Sequence, residues 1–289
     1  MVAIPERAVK LAPFAFILLW SSSFVTARIG LQYVSPLLFV ALRLAAAALL
    51  VAGLATLLGH SWSALRGRFW QLALAGALVN GVTLAAFHVG MLTVNAAVMA
   101  LIQGLNPVLV ALLGMPVLGE RLSGKQWLGL GLGFGGVALV VGPRVLGTAA
   151  ELEAVLLGGV GVLGLAVGTV AFGRHGRGLP LLPVTAVQLG SAAVLVLALM
   201  AGFEAPSAVW SFAAIASVVW NVFAVSTGGM ALYYLLLNRG AAGQVTANFY
   251  LIPGLVALLG WSLLGEALAL SALLGLAVAS AGVFLVARR

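Results

Sequence analysis

PVLVALLGMPVLGERLSGKQWLGLGLGFGGVALVV, residues 107–141, aligns without a gap on PGLVALLGWSLLGEALALSALLGLAVASAGVFLVA, residues 253–287, 146 positions later. Roughly half the aligned positions are identical, including Pro107/Pro253, Gly114/Gly260, Gly119-Glu120/Gly265-Glu266 and Gly129/Gly275. A bias towards Leu, Ala, Val and Gly inflates such matches. It does not explain a shared Pro and a shared Glu in a chain with 10 Pro and 6 acidic residues. The chain is therefore internally duplicated, an arrangement that in membrane proteins points to transport.

At 63% hydrophobic and 7% charged, the chain has too few polar residues to coat a water-soluble globule. Long apolar runs in lipid become helices, because every backbone amide must find its partner within its own segment. A span needs about 20 apolar residues. Charges and Gly/Pro breaks divide the sequence into ten: about 11–30, 36–58, 69–91, 95–118, 124–142, 154–173, 181–201, 209–237, 241–264 and 269–287. The expected architecture is all-α and polytopic, with ten transmembrane helices. Residues 1–145 and 152–289 form two five-helix repeats.

The net charge of +8 does not indicate nucleic acid. With both termini in the cytoplasm, eleven basic residues fall on the inner side, from Arg7 and Lys10 to Arg288 and Arg289. Only Arg28 and Arg144 fall outside, with Glu151, Glu153, Glu204 and Glu266. This is a positive-inside bias. Five spans per half is an odd number, so the second half enters the membrane upside down. Arg121 and Lys125 correspond to Ala267 and Ser271 in the second copy, the loss of basic charge that inversion predicts. The N-terminal Glu6-Arg7-Lys10 and its apolar run resemble a signal peptide, with Val25-Thr26-Ala27 imitating a cleavage site. Removing it would leave unequal halves, so it reads as a retained first helix.

These residues resemble the EamA-type drug/metabolite transporters. The resemblance runs through Trp20-Ser21-Ser22-Ser23-Phe24, Pro36, Arg43, Asn106-Pro107, Gly119-Glu120-Arg121 and Trp127-Leu128-Gly129, and again from Gly240 onward. Over the sequence as a whole, rather than at any one motif, the chain most resembles the bacterial YddG-type exporters of aromatic amino acids. The resemblance implies a central cavity between two inverted five-helix repeats, alternately open to either side. It also implies a multi-pass protein of the bacterial inner (plasma) membrane, for which a monomer is compatible.

Polar side chains at membrane depth are costly and should face other helices or water. Asn80, Leu84 and His88 lie four apart on one face of the third span, and Asn95, Met99, Gln103 and Asn106 share a face of the fourth. The ninth offers Gln244, Asn248 and Tyr250, and the eighth Trp220, Asn221, Ser226, Tyr233 and Tyr234. The offset places Phe87-His88 on Tyr233-Tyr234. Any one amide could simply join two helices, a bond worth about 0.6 kcal/mol on average. Taken together, Trp20, Ser23, Asn80, His88, Gln103, Asn106, Trp220, Tyr233, Tyr234, Asn248 and Tyr250 are the expected cavity lining. Pro107 and Pro253 are expected to bend the fourth and ninth helices, since neither can donate to the carbonyl four residues earlier.

Arg43 lies about seven residues inside the second span. It either snorkels to the surface or pairs with an outer Glu, or it attracts a substrate carboxylate. The glycines Gly129, Gly131, Gly133 and Gly135 form small-xxx-small pairs for close helix packing, partly repeated by Gly275, Ala279 and Gly282. There is no Cys and no Asp, and no span holds two His, which leaves thiol, metal and hydrolytic chemistry few participants. The expectation is a transporter rather than an enzyme, without cofactor or metal. Its cargo would be small neutral or zwitterionic metabolites such as amino acids, with a multidrug exporter of organic cations as the other reading. The absence of a mid-membrane carboxylate disfavours proton antiport.

Overall fold

A computed structural model describes residues 6–119, 122–145, 147–239, 249, 251–265 and 270–287. Its elements are α1 (Glu6–Gly30), α2 (Pro36–Leu57), α3 (Phe69–Gly76), α4 (Thr83–Gly90), α5 (Ala96–Gln103), α6 (Asn106–Leu118) and α7 (Gly124–Val145). They continue as α8 (Ala149–His175), α9 (Leu181–Phe203), α10 (Phe212–Trp220), α11 (Met230–Arg239), α12 (Ile252–Leu264) and α13 (Leu270–Ala287). A π-helical segment, Ala77–Val82, joins α3 to α4, and a second, Asn221–Gly229, joins α10 to α11. Among the described residues β pairing is confined to one isolated bridge, Val34 to Ala208.

Seven helical stretches are long and apolar enough to cross a membrane: Leu11–Gly30, Pro36–Leu57, Trp62–Gly90, Ala96–Val117, Ala149–His175, Leu181–Phe203 and Phe212–Asn238. They match seven of the ten expected spans. The helices α7, α12 and α13 fall on the other three. At 13 residues, α12 is too short to cross alone, and most of the expected span before it lies outside the described residues.

Local chemistry sets the boundaries. Asn95 and Ser211 cap α5 and α10 by accepting from Val98 N and Ala214 N, at 3.0 and 3.1 Å. Thr148 and Glu151 form a reciprocal capping box at α8. Gly119 and Gly265, 146 residues apart, end α6 and α12 with φ of 68° and 65°, a left-handed conformation that a Cβ disfavours.

The two π segments also overlap at that offset. Just after the first, and within the second, a threonine hydroxyl bonds a carbonyl five residues earlier: Thr83 to Leu78 at 3.0 Å and Thr227 to Val222 at 2.8 Å. The bend expected at Pro107 coincides with an interruption of the helix just before it, and most of the chain before Pro253 lies outside the described residues. Gly104 and Leu105 interrupt the fourth span, and Pro107 sits in the first turn of α6, as Pro253 does in α12. A proline's missing amide is harmless there.

Helices related by the offset pack side by side, α2 on α9 and α7 on α13. The start of α2 meets the end of α9, where Glu204 accepts from Leu37 N at 2.8 Å and from Leu38 N at 2.9 Å. The two helices therefore run antiparallel. In the second pair, a Cβ on Gly282 would lie 2.4 Å from Gly129 O and 2.8 Å from Gly133 N. Gly131 and Gly135 have open space instead. Half of the expected glycine stripe thus forms the α7–α13 contact.

Candidate functional site

Trp20 and Ser23, three apart on α1, and polar groups of α2, α4, α5 and the first π segment meet at one buried cavity, to which the second half contributes Val225 and Met230. It is lined by Trp20, Ser23, Arg43, Asn80, His88 and Gln103, together with Phe24, Val79, Leu84, Phe87, Met91, Val225 and Met230. Five residues predicted as cavity lining therefore meet in one place: Trp20, Ser23, Asn80, His88 and Gln103. The free space is about 20 Å³ for the centres of water-sized molecules, room for roughly one water. An amino acid could enter only if the walls moved apart.

Arg43 overturns the expectation of a snorkelling or ion-paired side chain. It is 2% exposed. Its Nε donates to Ser226 Oγ at 3.0 Å and its NH1 to Ser23 Oγ at 3.3 Å. No acidic side chain among the described residues pairs with it. A guanidinium at mid-helix costs about 2.5–3.5 kcal/mol on insertion scales, and two hydroxyl oxygens carry no formal charge to offset it. Ser23 in turn donates to Asn221 Oδ1 at 3.1 Å, so its proton is committed. Asn221 donates to Thr26 Oγ1 and to Ser217 O, both at 2.9 Å. Asn80, Asn221 and Ser226 all lie on π segments. Such segments insert an extra residue into a turn and recur at functional sites.

His88 is 2% exposed and stacks on Phe39 with ring centroids 5.6 Å apart. Its Nδ1 lies 2.7 Å from Leu84 O. A carbonyl can only accept, so Nδ1 donates and Nε2 of the neutral ring is an acceptor. That Nε2 is buried without a partner. Elsewhere in the lining Trp20 Nε1 donates to Gln103 Oε1 at 3.2 Å.

Towards the end where α1 begins and α11 finishes, the cavity gives way to a dry aromatic seal. Phe16, Trp20, Tyr233 and Phe249 are all within ring contact of one another, with six centroid separations of 5.1–5.8 Å. Thr169 donates to Leu165 O at 2.6 Å, so Tyr233 donates to Thr169 Oγ1 across their 2.6 Å contact. Tyr234 accepts from Asn80 Nδ2 at 3.3 Å and donates to Gln188 Oε1. At the other end, loops of the two halves are tied together by Ser35 N to Ser207 O at 2.9 Å and Val209 N to Tyr33 O at 2.8 Å.

The remaining predicted residues fall elsewhere. Trp220 is a correction: it is 43% exposed on the outside of α10, with Nε1 donating to Ser22 Oγ at 2.9 Å. Its face of α10 looks away from the bundle. Tyr233 and Tyr234 are fully buried in the seal rather than on the cavity wall. Asn106 is fully buried beside the helix break, and neither amide atom is hydrogen-bonded. Asn95 is a helix cap. Gln244, Asn248 and Tyr250 lie outside the described residues. Among the described residues no three His, Cys, Asp or Glu are grouped to hold a metal ion.

The comparisons with known proteins agree with a membrane transporter. A sequence model of the EamA-like transporter family matches twice, over residues 9–142 and 152–288. An uncharacterized transporter of Bacillus subtilis strain 168, YvbV, is 29% identical, covering 96% of this chain and 90% of its own. The uncharacterized inner membrane transporter YedA of Escherichia coli K12 is 27% identical, covering 89% and 83%. A crystal structure 21% identical in sequence superposes with a TM-score of 0.76 over 96% of both chains, and so shares the fold. With both halves matched, this multi-pass membrane protein belongs to the EamA-like transporter family.

Proposed function

We infer that the protein exports small neutral or zwitterionic metabolites, amino acids and their aromatic members among them, by alternating access between two inverted five-helix repeats. The observation that carries this reading is the buried polar cavity at the meeting of the two halves, with a guanidinium, an imidazole, amides and an indole on one small space. Inversion is supported by the antiparallel run of α2 and α9, which correspond across the duplication. The shared left-handed glycines and overlapping π segments support the duplication itself. Both termini are assigned to the cytoplasm on the distribution of Lys and Arg.

A cavity that holds about one water and is closed by a seal and a clasp suits an occluded state between two open ones. Amides and hydroxyls can satisfy an ammonium and a carboxylate, while the aromatic faces accept a ring. An organic-cation exporter of the same fold is disfavoured by Arg43, which repels cations in a cavity without a lining carboxylate.

Efflux of labelled phenylalanine from preloaded proteoliposomes tests the reading. Release faster than from protein-free liposomes, without an imposed proton gradient, is the expected result. Release of tetraphenylphosphonium but of no amino acid would favour the multidrug alternative. Release of neither would remove the proposed substrate class.

A further inference from the structure

We propose that Arg43 and His88 together read the two charged ends of an α-amino acid, the guanidinium taking its carboxylate and His88 Nε2 accepting from its ammonium group. The inference rests on the transport reading above and names the substrate chemistry of that same cavity. Two independent irregularities carry it.

The first is a charge without a counter-charge. Arg43 is buried and lines the cavity, and its two partners, Ser23 and Ser226, offer only hydroxyl oxygens. A guanidinium has five N–H donors in a planar fork matched to a carboxylate. Two of the five are engaged here, so donors remain for a bidentate partner. A carboxylate entering the cavity would supply the negative charge that the lining lacks.

The second is an acceptor without a donor. The Leu84 carbonyl fixes the His88 tautomer and leaves Nε2 as a buried lone pair without a partner, on a side chain that lines the same cavity. An incoming ammonium is the natural donor to it. Phe39, stacked against the ring, holds its plane. A cation and a lone-pair acceptor on one wall select a molecule with a carboxylate and an amine on the same small frame. A simple amine meets the guanidinium unscreened, and an amide cannot neutralise it. A carboxylic acid without an amine leaves Nε2 unpaired.

The test uses four probes on the same phenyl frame, namely phenylalanine, 3-phenylpropionate, phenylalaninamide and phenethylamine. Each is measured by thermal shift on the full chain in detergent and by competition against labelled phenylalanine in proteoliposomes. Wild-type protein should bind phenylalanine most tightly, 3-phenylpropionate less tightly, and the amide and amine far more weakly. Arg43→Gln should weaken both carboxylates about 10- to 100-fold, the loss expected for a charge-assisted bond, and Arg43→Lys should restore part of it. His88→Leu should weaken phenylalanine about fivefold and leave 3-phenylpropionate unchanged, a split that a merely structural role would not produce.

The inference is overturned if the amide binds as well as the acid, if no carboxylate probe binds, or if Arg43→Gln keeps the acid preference. Should Arg43→Gln not fold, the ranking of the four probes on wild-type protein and Arg43→Lys decides the matter. Acids that bind but never cross the membrane would undo the transport reading and leave this site standing. Equal passage of acid and amide would do the reverse.

Discussion

Phe87-His88 and Tyr233-Tyr234 occupy the same register of the duplicated sequence, yet they do opposite things. His88 lines the cavity with its Nε2 buried and unpaired, and Phe87 borders the same cavity. Tyr233 and Tyr234 have no exposed surface; their hydroxyls are bonded to Thr169, Gln188 and Asn80. Identical positions in two copies have thus become a wall of the cavity and a plug below it. If the copies exchange environments during transport, the asymmetry is the signature of one access state. If it is permanent, one side of the cavity never opens.

The largest effect should follow from removing a ring of the seal. Tyr233→Ala deletes contacts with Phe16, Trp20 and Phe249. It should cost about 3–5 kcal/mol, the usual range for a buried aromatic truncated to Ala. Phe87→Ala should cost less, because Phe87 has Phe24 as a ring neighbour at 6.1 Å and already adjoins free space. Unfolding midpoints in detergent measure both, and equal losses would break the comparison.

Next in size is the hydroxyl of the second pair. Tyr234→Phe leaves Gln188 Oε1 and Asn80 Nδ2, both on buried side chains, without their partner, worth about 1–3 kcal/mol. His88→Leu removes a side chain whose Nε2 has no partner, so stability should fall by under about 1 kcal/mol. The same unfolding curves check this, and a larger loss for His88→Leu would place His88 in the structural framework.

Much of this was legible in the sequence, for identifiable reasons. Apolar runs mark helices because lipid leaves the backbone no other partner, and the three positions Asn80, Leu84 and His88 reach one cavity as their spacing of four implies. The π segments were not legible, since an extra residue in a turn leaves no mark in a uniformly apolar run. Arg43 was misread because its partner Ser226 lies 183 residues away, and distance from a helix end says nothing of what covers the side chain. Trp220 was misplaced because lipid and protein interior are both apolar. Periodicity then cannot separate the face of α10 that meets the bundle from the one that leaves it.

The central claim is that the two halves face opposite sides of the membrane. Ser61 and Ser207 are exposed loop residues at corresponding positions, 146 apart, and the chain has no cysteine of its own. Single variants Ser61→Cys and Ser207→Cys can therefore be labelled with a membrane-impermeant maleimide in intact cells and in inside-out vesicles. Ser207→Cys should label only in cells and Ser61→Cys only in inverted vesicles. Labelling of both from the same side would contradict the account.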